Sequence, residues 1–325
     1  MSGATRLHVA TASQSIWFSR DKGENWDRPY AESGLEGECR AWTLSAHPDH
    51  PDEVYAGTDR GLFLWRESKK TWTHLPSALD SMTIYTLRQS PHDANLMLAG
   101  TQKPCDLWRS TDRGVTWTRL YTGIAQNCIY VRHPRVTQIA FDPADKRTIY
   151  AGVEIDGVWR STDGGDSWRK VGKGLLSEDI HGILPTGIDG GTVFATTNMG
   201  LHRSTDKGES WTPVKLDSPS PYTRTVFAPP GAPADDLFVT NGDGPPGSWG
   251  RLHRSRDGGK TFTEIQIPQP TNSTVWTMAG NAADPKLLFA ATNLGQLFRS
   301  TDGGSSWTKL KRELSDIRAV MWLPA

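Results

Sequence analysis

The sequence predicts an all-β chain folded as a seven-bladed β-propeller, and three observations predict it. A polar octet recurs at intervals of 43 to 51 residues, each interval carries several short strand-like runs, and no segment sustains helical periodicity with caps. The octet reads SRDKGENW from Ser19, STDRGVTW from Ser110, STDGGDSW from Ser161, STDKGESW from Ser204, SRDGGKTF from Ser255 and STDGGSSW from Ser300. A seventh copy, WRESKKTW from Trp65, keeps only its final aromatic. One interval is the length of a four-stranded antiparallel blade.

The strands follow in order. A run such as AWTLS, IYTLR, TQIAF, TVFAP or VWTMA opens each unit. A run rich in β-branched and aromatic residues comes second (VYAGT, MLAGT, IYAGV, VFATT, LFVTN, LFAAT), and a third (GLFLW, DLWRS, GVWRS, GLHRS, RLHRS, QLFRS) leads into the octet. The carboxyl-terminal run IRAVMWLP from Ile317 matches a first strand without successors, whereas the amino terminus begins at a second strand, LHVAT. Pairing the two ends closes the ring and removes the free edges of an open sheet. Length alone suggests two domains. The repeats overrule it in favour of one propeller over 1–325, with blade one shared between 1–30 and 316–325.

Composition narrows the partners. Lys and Arg number 36, as do Asp and Glu, so no overall field recruits nucleic acid or an anionic membrane. No run of about 18 apolar residues and no signal-peptide pattern occurs. Three cysteines are too few for a disulfide scaffold and fit a reducing compartment. The expectation is a cytoplasmic, monomeric protein without nucleic-acid or membrane partners.

The octet resembles the Asp-box, or BNR repeat, of sialidases, sortilin-type receptors, tandem-propeller xyloglucanases and a photosystem II assembly factor, and the resemblance spans the whole chain. Physically it describes a hairpin turn in which Asp accepts backbone N–H bonds, Gly supplies positive φ, hydroxyls bond locally and the Trp packs under the turn. Asp21, Asp112, Asp163, Asp206, Asp257 and Asp302 are therefore expected to be structural, with a catalytic or calcium role as the alternative. Sialidases use six blades and an Arg-Ile-Pro motif, and neither is present. The xyloglucanase comparison implies a cleft between two propellers, of which one is present. The chain is thus similar to single-propeller BNR-repeat, glycosyl-hydrolase-like proteins rather than to a true sialidase.

Antiparallel alternation puts the octets and the first-to-second turns at one end. At the other lie the second-to-third loops, the inter-blade connections and the two insertions, TGIAQNCIYVRHPR and NGDGPPGSWG. Variable loops on a rigid repeat scaffold carry binding sites. Aligning first strands on Leu44, Leu87, Ile139, Ile183, Val226, Met278 and Val320 places Trp42, Tyr85, Thr137, His181, Arg224, Trp276 and Arg318 two positions earlier. Arg40, Thr83, Arg135, Asp179, Tyr222, Thr274 and Asp316 stand four positions earlier. An axial mouth built from Arg40, Trp42, Tyr85, Arg135, His181, Tyr222, Arg224, Trp276 and Arg318 would hold a carboxylate or phosphate while stacking an apolar or sugar ring. The competing reading is structural ion pairing with Asp179, Asp316 or Glu38.

Asp59, Asp106, Glu154, Asp156 and Asp243 fall in second-to-third loops, where two could hydrolyse a glycosidic bond or simply be solvated. Cys39, Cys105 and Cys128 with His133 have the types of a Cys₃His site but no CxxC spacing. Free thiols, a Cys105–Cys128 disulfide or a reactive thiol are the other readings, and no metal or cofactor is expected. HPDHPD at 47–52 shares its slot with SPHDAN and DPADKR and reads as a turn. GDGPPG at 242–247 lacks the helix a dinucleotide fingerprint requires. His202 and His253 read as packed rather than ligating. The leading function is capture of an anionic small molecule, or a glycan or peptide end, at the axial mouth. The alternatives are a hydrolase or lyase acting on an acidic carbohydrate, with His181 as acid or base, and a protein-interaction scaffold.

Overall fold

The computed structural model describes residues 5–28 and 31–325. Residues 1–4 and 29–30 of the predicted blade one lie outside them. The fold is a seven-bladed β-propeller built from seven antiparallel sheets. In blade four, Val136–Phe141, Ile149–Val153, Gly157–Ser161 and Arg169–Val171 run from the axis outward in sequence order. Blades two, three, five, six and seven repeat the pattern, with first strands Ala41–Ser45, Thr83–Ser90, Ile180–Pro185, Thr223–Phe227 and Val275–Ala279.

Blade one closes the ring as the two termini imply. Ile317–Pro324 is its first strand and pairs antiparallel with Thr5–Thr11, from Thr5 opposite Pro324 to Thr11 opposite Ile317. Ile16–Ser19 is the third strand, and the fourth is reduced to a single bridge between Phe18 and Asp27.

The apolar core is a set of seven separate clusters, one at each seam between neighbouring blades. Alternation within each strand sends side chains to both flanking seams. The closing strand shows this plainly. Ile317, Val320 and Trp322 pack with Leu7 and Phe289 toward blade seven, while Ala319, Met321 and Leu323 pack with Leu44 and Trp65 toward blade two. Small residues in the second strands let adjacent first strands approach. A Cβ on Gly100 would come within 2.5 Å of Val136 Cβ, which blade four already occupies.

Octet turns behave as their residue types demand. In blade three the Ser110 hydroxyl donates to Asp112 Oδ1 at 2.8 Å, and Asp112 accepts from Thr116 N at 2.8 Å and Thr116 Oγ1 at 2.5 Å. Trp117 Nε1 donates to Gly114 O at 3.1 Å. Positive φ falls on two successive residues, Arg113 and Gly114, at 60° and 85°. The turns also join blades. Arg109 reaches Gly164 O and Asp166 in blade four, Arg160 reaches Lys207 O and Glu209 in blade five, and Arg299 reaches Lys22 O and Glu24 in blade one. In blade two the octet is gone, and Trp65 pairs directly with Trp72 across a hairpin.

Candidate functional site at the propeller axis

Every first strand carries a β-bulge at the same place, and the extra residue is in each case the one standing two before the aligned apolar position. In blade two Ala41 pairs with Thr58 and Thr43 with Gly57, so Trp42 is left out of the ladder. The same skip omits Tyr85, Thr137, His181, Trp276 and Arg318, and in blade six both Arg224 and Thr225. A bulge releases a side chain from the pleat and re-aims it. Here it turns seven side chains onto one axis, and all seven line a cavity of about 370 Å³ running from this ring past Leu44 and Met278 to Ala46, Gln89 and Gly280, toward the octet end of the first strands rather than the opposite end where the sequence places the mouth.

The ring residues stack on one another. Arg135 lies 4.8 Å above the Tyr85 ring, Tyr85 stacks on Trp42 at 5.1 Å, and Arg318 stands 5.3 Å from both Trp42 and Trp276. Arg224 covers Trp276 at 3.7 Å. These faces hold guanidiniums by cation–π attraction while leaving their N–H edges available. Glu154 binds Arg135 at 2.5 Å, Asp316 approaches Arg318 at 3.8 Å, and no carboxylate among the described residues comes within ion-pair distance of Arg224. Positive charge is therefore under-neutralised, and two groups register it. Burial pushes the Tyr85 hydroxyl up, but the charges of Arg135, Arg224 and Arg318 outweigh burial and bring it below its ordinary value. Arg318 is itself held below the ordinary arginine value by burial, with repulsion from Arg224 and Arg135 adding to it.

His181 is committed to its neighbours. Its Nδ1 lies 2.7 Å from Thr223 O and its Nε2 3.3 Å from Asp179 Oδ2, and its ring packs 4.7 Å from Tyr222. Satisfying both oxygens requires two N–H donors, so neither nitrogen is aimed at the cavity. Burial raises Asp179, but the bond from His181 and the charges of His181, Arg224 and Arg135 hold it ionised below its usual value.

The row four positions earlier lies elsewhere. Arg40, Arg135 and Tyr222 are not in the cavity wall. Arg135 and Tyr222 touch the ring from outside, through Tyr85 and His181, and Arg40 is exposed at the rim. The cause is the bulge: one inserted residue breaks the period of two, so the intervening row Ala41, Ile84, Val136, Ile180, Thr223, Val275 and Ile317 takes the fully buried positions. The wall also contains groups that alignment on apolar positions did not single out, notably Arg88 and Gln89. Gln89 stands two positions after Leu87, where the same period of two could have found it.

The loop carboxylates are engaged. Asp59 accepts from Arg40 N, Asp106 pairs with Arg119, Asp156 with Lys170, and Asp243 caps Ser248. Cys39, Cys105 and Cys128 are unpaired thiols, and burial pushes Cys39 and Cys105 up to about 12. His202 and His253 are fully buried at blade seams. Several polar atoms around the ring are buried without a partner: Trp42 Nε1, Arg135 Nε, Arg318 Nε, Glu154 Oε2 and Asp179 Oδ1. Unmatched buried polar atoms are uncommon in a finished interior and concentrate where water or a ligand completes the structure.

No family model matches the chain. Among curated proteins it is similar to the xyloglucanase Xgh74A of Acetivibrio thermocellus, 27% identical over 336 residues, covering 84% of this chain and 39% of the relative. Among solved structures, the GH74 xyloglucanase from Xanthomonas campestris superposes with a TM-score of 0.65 at 23% identity, covering 83% of this chain and 45% of that one. The structure titled "YCF48 bound to D1 peptide" superposes with a TM-score of 0.58 at 15% identity, covering 83% and 81%. The chain spans less than half the length of the xyloglucanases it matches. In sequence and in fold, what this seven-bladed propeller is similar to is the propellers of glycosyl hydrolases.

Proposed function

We propose that the propeller binds carbohydrate at its axis, and that the end it holds is acidic. The observation that carries this reading is the pair Arg224 and Arg318. Both line the cavity, both lie on aromatic faces, and with Arg135, the largest contributor to the lowering, they pull the Tyr85 hydroxyl down against its own burial. A sugar carboxylate would supply the missing counter-charge, and Trp42 and Trp276 offer flat apolar surface to a pyranose ring. The likeness to xyloglucanases supports carbohydrate as the ligand class.

Calorimetric titration with glucuronate, glucose and inorganic phosphate tests it. Glucuronate is expected to bind with at least about tenfold preference over glucose, and Arg224→Ala to weaken it by about tenfold or more, the usual cost of a charge-assisted hydrogen bond. Equal affinity for glucose, or an Arg224→Ala variant that binds as well as the parent, overturns the acidic reading. Phosphate binding as tightly as glucuronate overturns the carbohydrate half.

A second reading, hydrolysis, is favoured by two carboxylate oxygens buried near the ring without donors, Glu154 Oε2 and Asp179 Oδ1. Two carboxyl groups are what glycoside hydrolysis requires. Release of reducing ends from xyloglucan or a uronic-acid polysaccharide, lost in Glu154→Gln and Asp179→Asn, is the expected result. No release from either polymer rejects it.

A further inference from the structure

The seam between blades one and two departs from the repeat at every position that normally fills it. In most seams the second-strand residue opposite the one preceding the octet serine is a large ring packed beneath the next blade's octet turn, with Leu98 of blade three the exception. Tyr150 donates its hydroxyl to Lys207 O there, and the rings of Phe194 and Phe238 lie where a Cβ on Gly259 or Gly304 would collide with them. In blade one that position is His8, a smaller ring, and its cross-strand partner is Phe18, where blades four, five and six have arginine. Blade two, which should supply the covering turn, has Trp65 in place of the octet serine. A smaller ring below and a missing turn above leave a cavity of about 400 Å³.

The cavity has a floor, walls and a rim of distinct chemistry. His8 is 1% exposed, lines the cavity, and neither Nδ1 nor Nε2 has a hydrogen-bond partner. Burial, with Arg6 and Arg20 adding positive charge, lowers its imidazole to about 3, so at neutral pH it presents one unmatched donor and one unmatched acceptor. Phe18, Trp65 and Trp72 surround it, with ring centroids 4.8, 6.3 and 6.5 Å from His8. Arg20, Arg28 and Lys70 stand at the rim with Asp27. Arg20 is paired with Glu67 at 2.9 Å, while no carboxylate among the described residues lies within ion-pair distance of Arg28 or Lys70. The size is that of a small-molecule site, and apolar walls with a few converging polar groups are its usual make-up.

We propose that this seam is a second binding site, separate from the axis, for a small planar aromatic acid. The ring would lie in the cavity against Phe18, Trp65 and Trp72 with one edge toward His8, and the carboxylate would remain at the Arg28 and Lys70 rim. Edge and face contacts with three aromatic side chains favour a flat unsaturated ring over a puckered sugar.

Isothermal titration calorimetry with 2-naphthoate, its neutral counterpart 2-naphthamide, and acetate reads this out. The parent protein is expected to bind 2-naphthoate saturably, 2-naphthamide at least tenfold more weakly, and acetate not at all. His8→Phe supplies the ring that blades five, six and seven carry at this position and fills the cavity. It should lose 2-naphthoate binding by tenfold or more without a lower melting temperature. The paired surface variant Arg28→Ala/Lys70→Ala, which leaves the buried seam intact, should weaken it by at least tenfold, and Arg224→Ala at the axis should leave it unchanged. Absence of saturable binding to the parent, or undiminished binding by a folded His8→Phe protein, overturns the site. Loss in Arg224→Ala with retention in His8→Phe assigns the ligand to the axis and overturns it equally. Equal affinity for the amide overturns the requirement for a charge.

Discussion

The octet turns, present in six blades, and the axial ring, built from all seven, belong to one scaffold, yet most of their polar atoms are treated in opposite ways. In the octets, Asp163 accepts from Ser161 Oγ, Ser167 N and Ser167 Oγ, and Trp168 Nε1 donates to Gly165 O. At the ring, Trp42 Nε1, Arg318 Nε and Asp179 Oδ1 have no partner, and three guanidiniums share two carboxylates within ion-pair distance. Most octet polar atoms are matched in this way, as a structural turn needs, with Trp211 Nε1 of blade five and Arg113 Nε of blade three as exceptions. A site prepared for another molecule holds its donors oriented and unmatched, at a cost to the free protein. The difference predicts that substitutions at the octet level lower stability and spare the ligand response, whereas substitutions at the ring do the reverse.

The largest effect is expected where the scaffold depends on closure. Removing residues 316–325 strips apolar side chains from two of the seven seams at once and leaves Thr5–Thr11 with an open edge. Circular dichroism should show loss of the cooperative melt, and an unchanged transition would break the account of the ring as one interdependent unit. Next comes Arg160, nearly buried, whose guanidinium spans the seam to Lys207 O at 2.5 Å and Glu209 at 2.6 Å. Arg160→Met keeps the stem and removes the charge-assisted bonds, so chemical denaturation should report a loss of about 2 kcal/mol. A loss well under about 0.5 kcal/mol would place this bridge with ordinary surface pairs.

Much of this division was legible in the residues themselves, and the exceptions have physical causes. Octet turns could be drawn from SxDxGxxW because each residue type has one local role there, and closure could be drawn because a first strand without successors must pair with a second strand lacking a predecessor. The ring from Trp42 to Arg318 was also found, by register. The row from Arg40 to Asp316 was not placed correctly, because period-two counting assumes an unbroken ladder. A bulge is a property of two paired strands, invisible in either one. His181 is half such a case: pairing with Asp179, two positions earlier, was among the structural readings the sequence allowed, but Thr223 O reaches it from the neighbouring blade and takes the other nitrogen. The blade one–two cavity was hidden because the worn octet at Trp65 is a local signal, whereas its consequence depends on His8, 57 positions earlier.

A smaller effect of opposite sign is expected at the ring. Arg318 is partly buried and repelled by Arg224 and Arg135, with Asp316 only at 3.8 Å in compensation. Arg318→Met keeps much of the volume against Trp42 and Trp276 and removes the charge. Stability should stay level or rise by about 1 kcal/mol while the response to glucuronate falls. A destabilisation of about 2 kcal/mol or more would show that the ring is structural in the same sense as the octets, and would erase the contrast.

The smallest effect is a titration that should belong to the octets alone. Bonds from the Ser306 hydroxyl and backbone lower Asp302 to about 2. At Asp206 burial, the largest single contribution, pushes up but is outweighed by the combined bonds from Ser210 and Ser204, which again gives about 2. An unfolded aspartate titrates near about 3.9, so each turn contributes stability that is fully present above about pH 4 and is lost as pH falls through about 2. Because these carboxylates are largely exposed, solvent screening keeps each contribution small. Melting temperature should therefore decline gradually between about pH 4 and pH 2, and the decline should be shallower in Asp302→Asn, whose turn no longer titrates. Arg318→Met should leave that slope untouched, since the charge it removes does not titrate in this range. An acid profile altered by the ring substitution but not by Asp302→Asn would reverse the assignment of stability to the octets and ligand response to the axial ring.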